Sequence, residues 1–275
     1  MDLVLKMVDG YLVLKTEAKH LAEQLFGNDR RKCDSFTNRL LDICARVQDK
    51  DILIIHNPGG FGSTPIEHLL PWERSIVEGI SSTIEQLGHR WALIQHFRTG
   101  NNWWAHMKDM KEQTRFFFKD TSSKPQILVA EVKFIAQHFT NLKIILLGAS
   151  QGAAFGNAVM RQTGELPQVY SIELGIFFPH MSRRVVTRRT LAIDSNGVMP
   201  DPISTRNLKA AARAYLTAPW RWVRYRLQGK PQKFTYCINA PGHNYNWEYP
   251  EVQQRIRYFL NLDFGNKDKQ EVTVK

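Results

Sequence analysis

Apolar and polar positions along the 275-residue chain follow two patterns that change near residue 51. Beyond it, short and mostly apolar runs at 52–55, 91–94, 144–147, 169–174 and 190–193 alternate with segments of helical spacing. Runs of that length and continuity suit strands buried on both faces of a parallel sheet. Between them, Ile76, Ile80, Ile84 and Leu87 predict a helix that stops at Gly88. Leu128, Val132, Ile135 and Phe139 predict a second. A helical region is expected over 206–227, interrupted at Pro219, then a last strand at 234–238. Val252, Ile256 and Phe259 mark a closing helix. Strands spaced by helices predict an α/β fold, a mostly parallel central sheet with helices on both faces.

Before residue 51 the pattern differs. Residues 4–15 alternate around Asp9-Gly10, a dipeptide favoured in tight turns, and predict an N-terminal hairpin, with a helical reading of part of it left open. Residues 16–48 predict two helices broken near Gly27-Asn28-Asp29. Residues 1–275 are expected to form one domain: an extension over 1–50, a core over 51–262 and a charged, fraying tail over 263–275.

Composition narrows the setting. No apolar run approaches the ~20 residues that span a bilayer. An acidic Asp2, with no small-residue cleavage site following an apolar core, argues against a signal peptide at the N-terminus. Cys33, Cys44 and Cys237 are odd in number and widely spread, which predicts reduced thiols in a cytoplasmic protein and neither a disulfide framework nor a zinc site.

The net charge of +11 is concentrated. Between Met181 and Lys233 stand twelve Lys and Arg against two acids, a local balance of +10. Such a field suits an anionic partner or substrate, and equally a solvated basic surface. Within it, Arg206, Lys209 and Arg213 share a face opposite Leu208, Ala212, Tyr215 and Leu216. After Pro219, the residues Trp220, Val223 and Leu227 share a side. Two readings follow: a helix covering the sheet, or an interfacial helix in peripheral contact with an anionic membrane surface. Nucleic acid is not an expected partner, because the aromatics fall where a core would want them.

Candidate chemistry centres on Gly148-Ala149-Ser150-Gln151-Gly152, which follows the apolar run ending at Leu147 and precedes a small-residue helical segment. A serine in a strained strand-to-helix turn projects its hydroxyl above the sheet edge, and glycines two residues either side let neighbouring backbone pass. The amide of Gln151 then opens a helix and faces any negative charge forming beside the hydroxyl. The other reading of Ser150 is a helix cap.

With this elbow, the run His56-Asn57-Pro58-Gly59-Gly60-Phe61-Gly62 after an early strand, and Gly242-His243 late in the chain, the sequence resembles the α/β-hydrolase superfamily over roughly 51–262. The resemblance implies Ser150 as nucleophile and His243 as base, since only His180 and His243 follow Ser150. It implies Asp201 as the orienting acid, with Asp194 and Glu173 as alternatives, and an oxyanion hole from the amides of Gln151 and the loop at Gly60 and Phe61. Trp103, Trp104 and His56 are candidates to line the substrate site, His56 alternatively bracing the loop. The implied activity is cleavage of a carboxylic ester, thioester or lipid substrate through an acyl-enzyme, with no metal or organic cofactor. Two alternatives stay open: an acyltransferase using the same three residues, or a hydrolase-fold protein of little turnover that binds an anionic partner.

Overall fold

The structure is a computed structural model that describes residues 2–60, 62–98, 124–230, 237 and 240–265. Five strands, β1 (Ile52–Asn57), β2 (Trp91–Gln95), β3 (Lys143–Ala149), β4 (Val169–Leu174) and β5 (Thr190–Ile193), form one sheet in the order β2-β1-β3-β4-β5. All four pairings are parallel. The expected α/β class holds. The predicted last strand at 234–238 and the tail from 266 lie outside the described residues, apart from Cys237.

Period-2 alternation sorts the strand side chains. Leu53, Ile55, Ile144 and Leu146 join one buried cluster; Ile52, Ile54, Ile145 and Leu147 join the other. The first cluster is covered by α1 (Asp2–Phe26), α2 (Arg30–Val47), α4 (Lys124–His138) and α5 (Gln151–Met160). The second lies under α3 (Pro71–Gln86) and α7 (Pro250–Phe264). Burial on both faces explains why these strands are short and almost wholly apolar.

Two expectations are corrected. Residues 4–15 form no hairpin; they belong to α1. Ala18 and Ala22 are buried and Leu14, Leu21, Leu25 and Phe26 pack beside them, so helical spacing continues through the region. Asp9-Gly10 has no apolar strand pair to turn between, and the helix carries through it. Second, α6 (Leu208–Leu227) runs unbroken through Pro219. Proline removes one rung of the ladder and a clash-free preceding turn, a loss tolerated here without ending the helix. The predicted break between α1 and α2 is present, with Gly27 at positive φ and Asp29 capping Lys32 N–H.

The helix over Ile76, Ile80 and Ile84 ends as expected, with Gly88 at φ +85°. Inside it, Gly79 answers to packing: a Cβ there would stand 2.1 Å from the Trp247 ring. Gly79→Ala gains helix propensity yet drives a methyl into an indole. We expect a net destabilisation of about 1–3 kcal/mol in urea unfolding, whereas Gly88→Ala fails for a different reason, its positive φ.

Candidate functional site

Ser150 stands between β3 and α5 with φ 54° and ψ −113°, a conformation that non-glycine residues rarely adopt. Close backbone approach dictates both flanking glycines. A Cβ on Gly148 would lie 2.4 Å from Gly152 backbone, and one on Gly152 would lie 2.0 Å from the Asn57 carbonyl oxygen. The elbow is thus wedged against the end of β1. Ser150 N–H donates to the Leu174 carbonyl at 2.8 Å, fastening it to the end of β4 as well. Ser150 makes no side-chain cap bond to α5, which disfavours the capping role. Gln151 opens α5, where amides lack intrahelical partners.

Asp201 and His243, 42 residues apart, meet. His243 Nδ1 lies 2.7 Å from Asp201 Oδ2. Tyr245 Oη–H donates to the same oxygen at 2.6 Å, and Ile203 N–H donates to Asp201 Oδ1 at 2.8 Å. The carboxylate is fully buried, and His243 is only partly so. Gly175, the residue after Leu174, makes room: a Cβ on it would stand 2.3 Å from Asp201 Oδ2. The pair therefore sits one residue from the carbonyl that anchors Ser150. Trp72 packs edge-on to His243, with ring centroids 6.2 Å apart, and also contacts Tyr245. Burial and the adjacent Asp201 charge push the Tyr245 hydroxyl far up, so it stays a neutral donor.

The alternative acids are engaged elsewhere. Arg184 donates to Glu173 Oε2 at 2.7 Å and to Asp194 Oδ2 at 2.6 Å, bridging the two. Asn157 and Ser171 also donate to Glu173, which is fully buried. Burial raises the Glu173 carboxyl despite these partners. Neither acid bonds His243; Asp201 does.

The loop after β1 is held from both sides. Glu73, buried at the start of α3, accepts from Gly59 N–H at 2.9 Å and contacts His56 Nε2 at 3.2 Å. Gln95 contacts the other ring nitrogen of His56 at 3.2 Å. Arg98 donates through one nitrogen to the carbonyls of Pro58 and Gly60, each at 2.7 Å. Burial lowers the Arg98 guanidinium to about 10, with Glu73 opposing the shift, so it remains charged at neutral pH. Gly59 rests near the Ala149 carbonyl, beside Ser150, and Gly60 takes φ +55°. His56 is buried and held through both ring nitrogens, which suits the bracing role better than a substrate contact. Phe61, Trp103 and Trp104 lie outside the described residues.

Sequence reasoning missed Glu73, Gln95, Arg98, Arg184 and Asn196. Asn196 accepts from Val198 and Met199 N–H and donates to Asn244, tying the acid loop to the histidine loop. Glu73 stands at a helix start, Gln95 ends β2, and Arg98, Arg184 and Asn196 lie in loops, positions that usually face water, so only burial reveals them. Gly242, beside His243, takes φ +92° and lets that loop pass the Pro200 carbonyl.

No protein-family model matches the chain, and no curated protein matches it. No group of metal-binding side chains occurs among the described residues. No helix among them is long and apolar enough to cross a membrane. Cys33 and Cys44 are buried free thiols and Cys237 is buried as well, and burial pushes the Cys44 thiol up to about 11.

Arg184 offers a stability test. Arg184→Met leaves Glu173 buried without its cation, at an expected cost of about 3–5 kcal/mol in urea unfolding near pH 8. A carboxyl raised in the fold binds its proton more tightly folded than unfolded, so acidification favours the fold and rising pH opposes it. The gap between variant and wild type should therefore narrow as pH falls.

Proposed function

We propose that the protein is a serine hydrolase of the α/β-hydrolase type, acting on a carboxylic ester or thioester through an acyl-enzyme. The observation that carries this reading is the 2.7 Å Asp201–His243 contact, packed on Gly175 beside the carbonyl that anchors the Ser150 amide. Sheet order supports it too. Connections leave β1 and β3 toward opposite edges, so the crevice between their C-terminal ends is the switch point where α/β sheets bind ligands. Ser150 follows one of those strands and the glycine loop follows the other.

In this reading His243, its Nδ1–H directed at Asp201, uses Nε2 to remove the Ser150 proton as Oγ attacks the carbonyl carbon. The C–O or C–S bond to the leaving group breaks as His243 returns the proton, and water, activated by the same imidazole, hydrolyses the acyl-serine. Asp201 fixes the tautomer and stabilises the imidazolium. Tyr245 and the Ile203 amide hold Asp201 in place. The developing oxyanion is met by the amide of Gln151 and one from the loop at Gly60 and Phe61. Glu73 and Arg98 set that loop's orientation before substrate arrives, which is what makes such donors effective.

Wild-type protein should label with a fluorophosphonate and turn over short p-nitrophenyl esters, and Ser150→Ala should do neither. Undiminished labelling of that variant would sink the proposal. Asp201→Asn should lower kcat on the order of 10³–10⁴-fold, while Asp194→Asn, at a carboxylate bonded by Arg184 rather than by His243, should change it far less.

A second expectation concerns the loop. Glu73→Gln keeps the shape but weakens the hold on Gly59 N–H, so kcat should fall on the order of tenfold or more with little change in KM. An effect confined to KM would instead make Glu73 a substrate-binding group.

A further inference from the structure

Helix α6 is amphipathic in the inverted sense. Its small residues Ala214 and Ala218 are buried, and Ala214 packs with Ile203 and Ala240, with Phe177 against them. Ile203 lies two residues past Asp201, and Ala240 three before His243. The Arg221 guanidinium also donates to the Cys237 carbonyl at 3.2 Å. The helix is thus fastened to both arms of the candidate site. Four of its large apolar residues face away: Leu216 is 80% exposed, Trp220 75%, Val223 40% and Leu227 84%. At 3.6 residues per turn these four occupy an arc of about 60°, directly opposite Ala214 and Ala218. A helix serving only to cover the sheet would be turned the other way.

Charge says what covers the stripe. The helix carries Lys209, Arg213, Arg221, Arg224 and Arg226 and no acid. Arg213 and Arg224 flank the stripe on one side and Arg226 on the other, its guanidinium 4.0 Å over the Trp222 ring. A second copy of the chain seated on this face would bring the same cations against these, a like-charge juxtaposition. A bilayer rich in anionic headgroups satisfies both features at once: acyl chains take the stripe and phosphates take the flanking guanidinia. Trp220 suits the headgroup boundary, where aromatic rings with a polar N–H settle.

We propose that α6 is a peripheral membrane-docking helix that lies flat on an anionic lipid surface. Docking needs no catalysis and goes beyond the hydrolase reading. If that reading also holds, the helix sets the Asp201 and His243 loops beside the lipid, and an acyl lipid becomes the favoured substrate class.

The test is sedimentation of the full chain with vesicles of phosphatidylcholine alone and with about 30 mol% phosphatidylglycerol. Retention on the anionic vesicles should be at least about tenfold stronger and fall with added salt. The combined variant L216S/W220S/L227S should reduce it about tenfold or more, and R213Q/R224Q/R226Q should abolish the preference for anionic lipid. All these side chains are exposed, so circular dichroism should be unchanged. Ser150→Ala should bind as wild type, which separates failure of docking from failure of catalysis. Equal retention on both vesicles, or retention indifferent to the serine substitutions, overturns the proposal. So does a dimer that those substitutions convert to monomer, or cross-linking of the stripe to residues 99–123 of the same chain.

Discussion

A carboxylate shut away from water organises one end of this molecule. Asp201 accepts from Tyr245, from the Ile203 amide and from His243, and Gly175 alone leaves it room. A buried charge without partners would neutralise or force its loop open. With three donors the loops carrying residues 201, 243 and 245 are held in one arrangement. The same logic recurs at Glu73, which gathers His56 and Gly59, and at Arg184, which gathers Glu173 and Asp194. Each network joins segments that the sheet brings to a common edge. Each also depends on the sheet, because only parallel strands ending together place those loops side by side.

The two glycines around Ser150 belong to that dependence. Neither is there for its own flexibility: Gly148 admits Gly152, and Gly152 admits the end of β1. Serine, lying between them, takes up the strain of a positive φ. The strain persists because the Leu174 carbonyl, the first turn of α5 and the wall of β1 over-determine the turn. A half-buried serine on a stiff elbow, next to a loop stiffened by Glu73 and Arg98, is a preorganised arrangement. Proposed acyl transfer at this site would use that rigidity, since donors already in place need not reorganise as charge develops.

The strands and the sheet-covering helices were legible because burial on two faces leaves a strong imprint on the sequence. The runs at 169–174 and 190–193 coincide with β4 and β5 to the residue. Ser150, Asp201 and His243 were legible as motif residues, but the choice of acid was not. Asp201, Asp194 and Glu173 all follow or end strands, and sequence carries no record of which one Arg184 claims. Glu73 was invisible for a related reason: a glutamate in the first turn of a helix looks like an ordinary response to the helix dipole. The N-terminal segment went astray because Asp9-Gly10 is a turn signal only if strands exist to be turned. There, tertiary packing through Ala18 and Ala22 had already chosen a helix.

Pro219 misled in a more instructive way. Taken as a break, it divides residues 206–227 into two short amphipathic pieces with unrelated faces. In the continuous helix, Leu216 joins Trp220, Val223 and Leu227 in a single line, and the two small residues Ala214 and Ala218 become the seam. A proline in a helix interior costs about 3 kcal/mol, and exposing four large apolar side chains forfeits their burial besides. A helix that keeps both features is poorly optimised for stability in water alone. Covering the stripe with acyl chains would recover what water withholds, and the basic flanks decide which lipids can do so. The geometry that fastens α6 to the Asp201 and His243 loops would then link surface binding to the site beneath it.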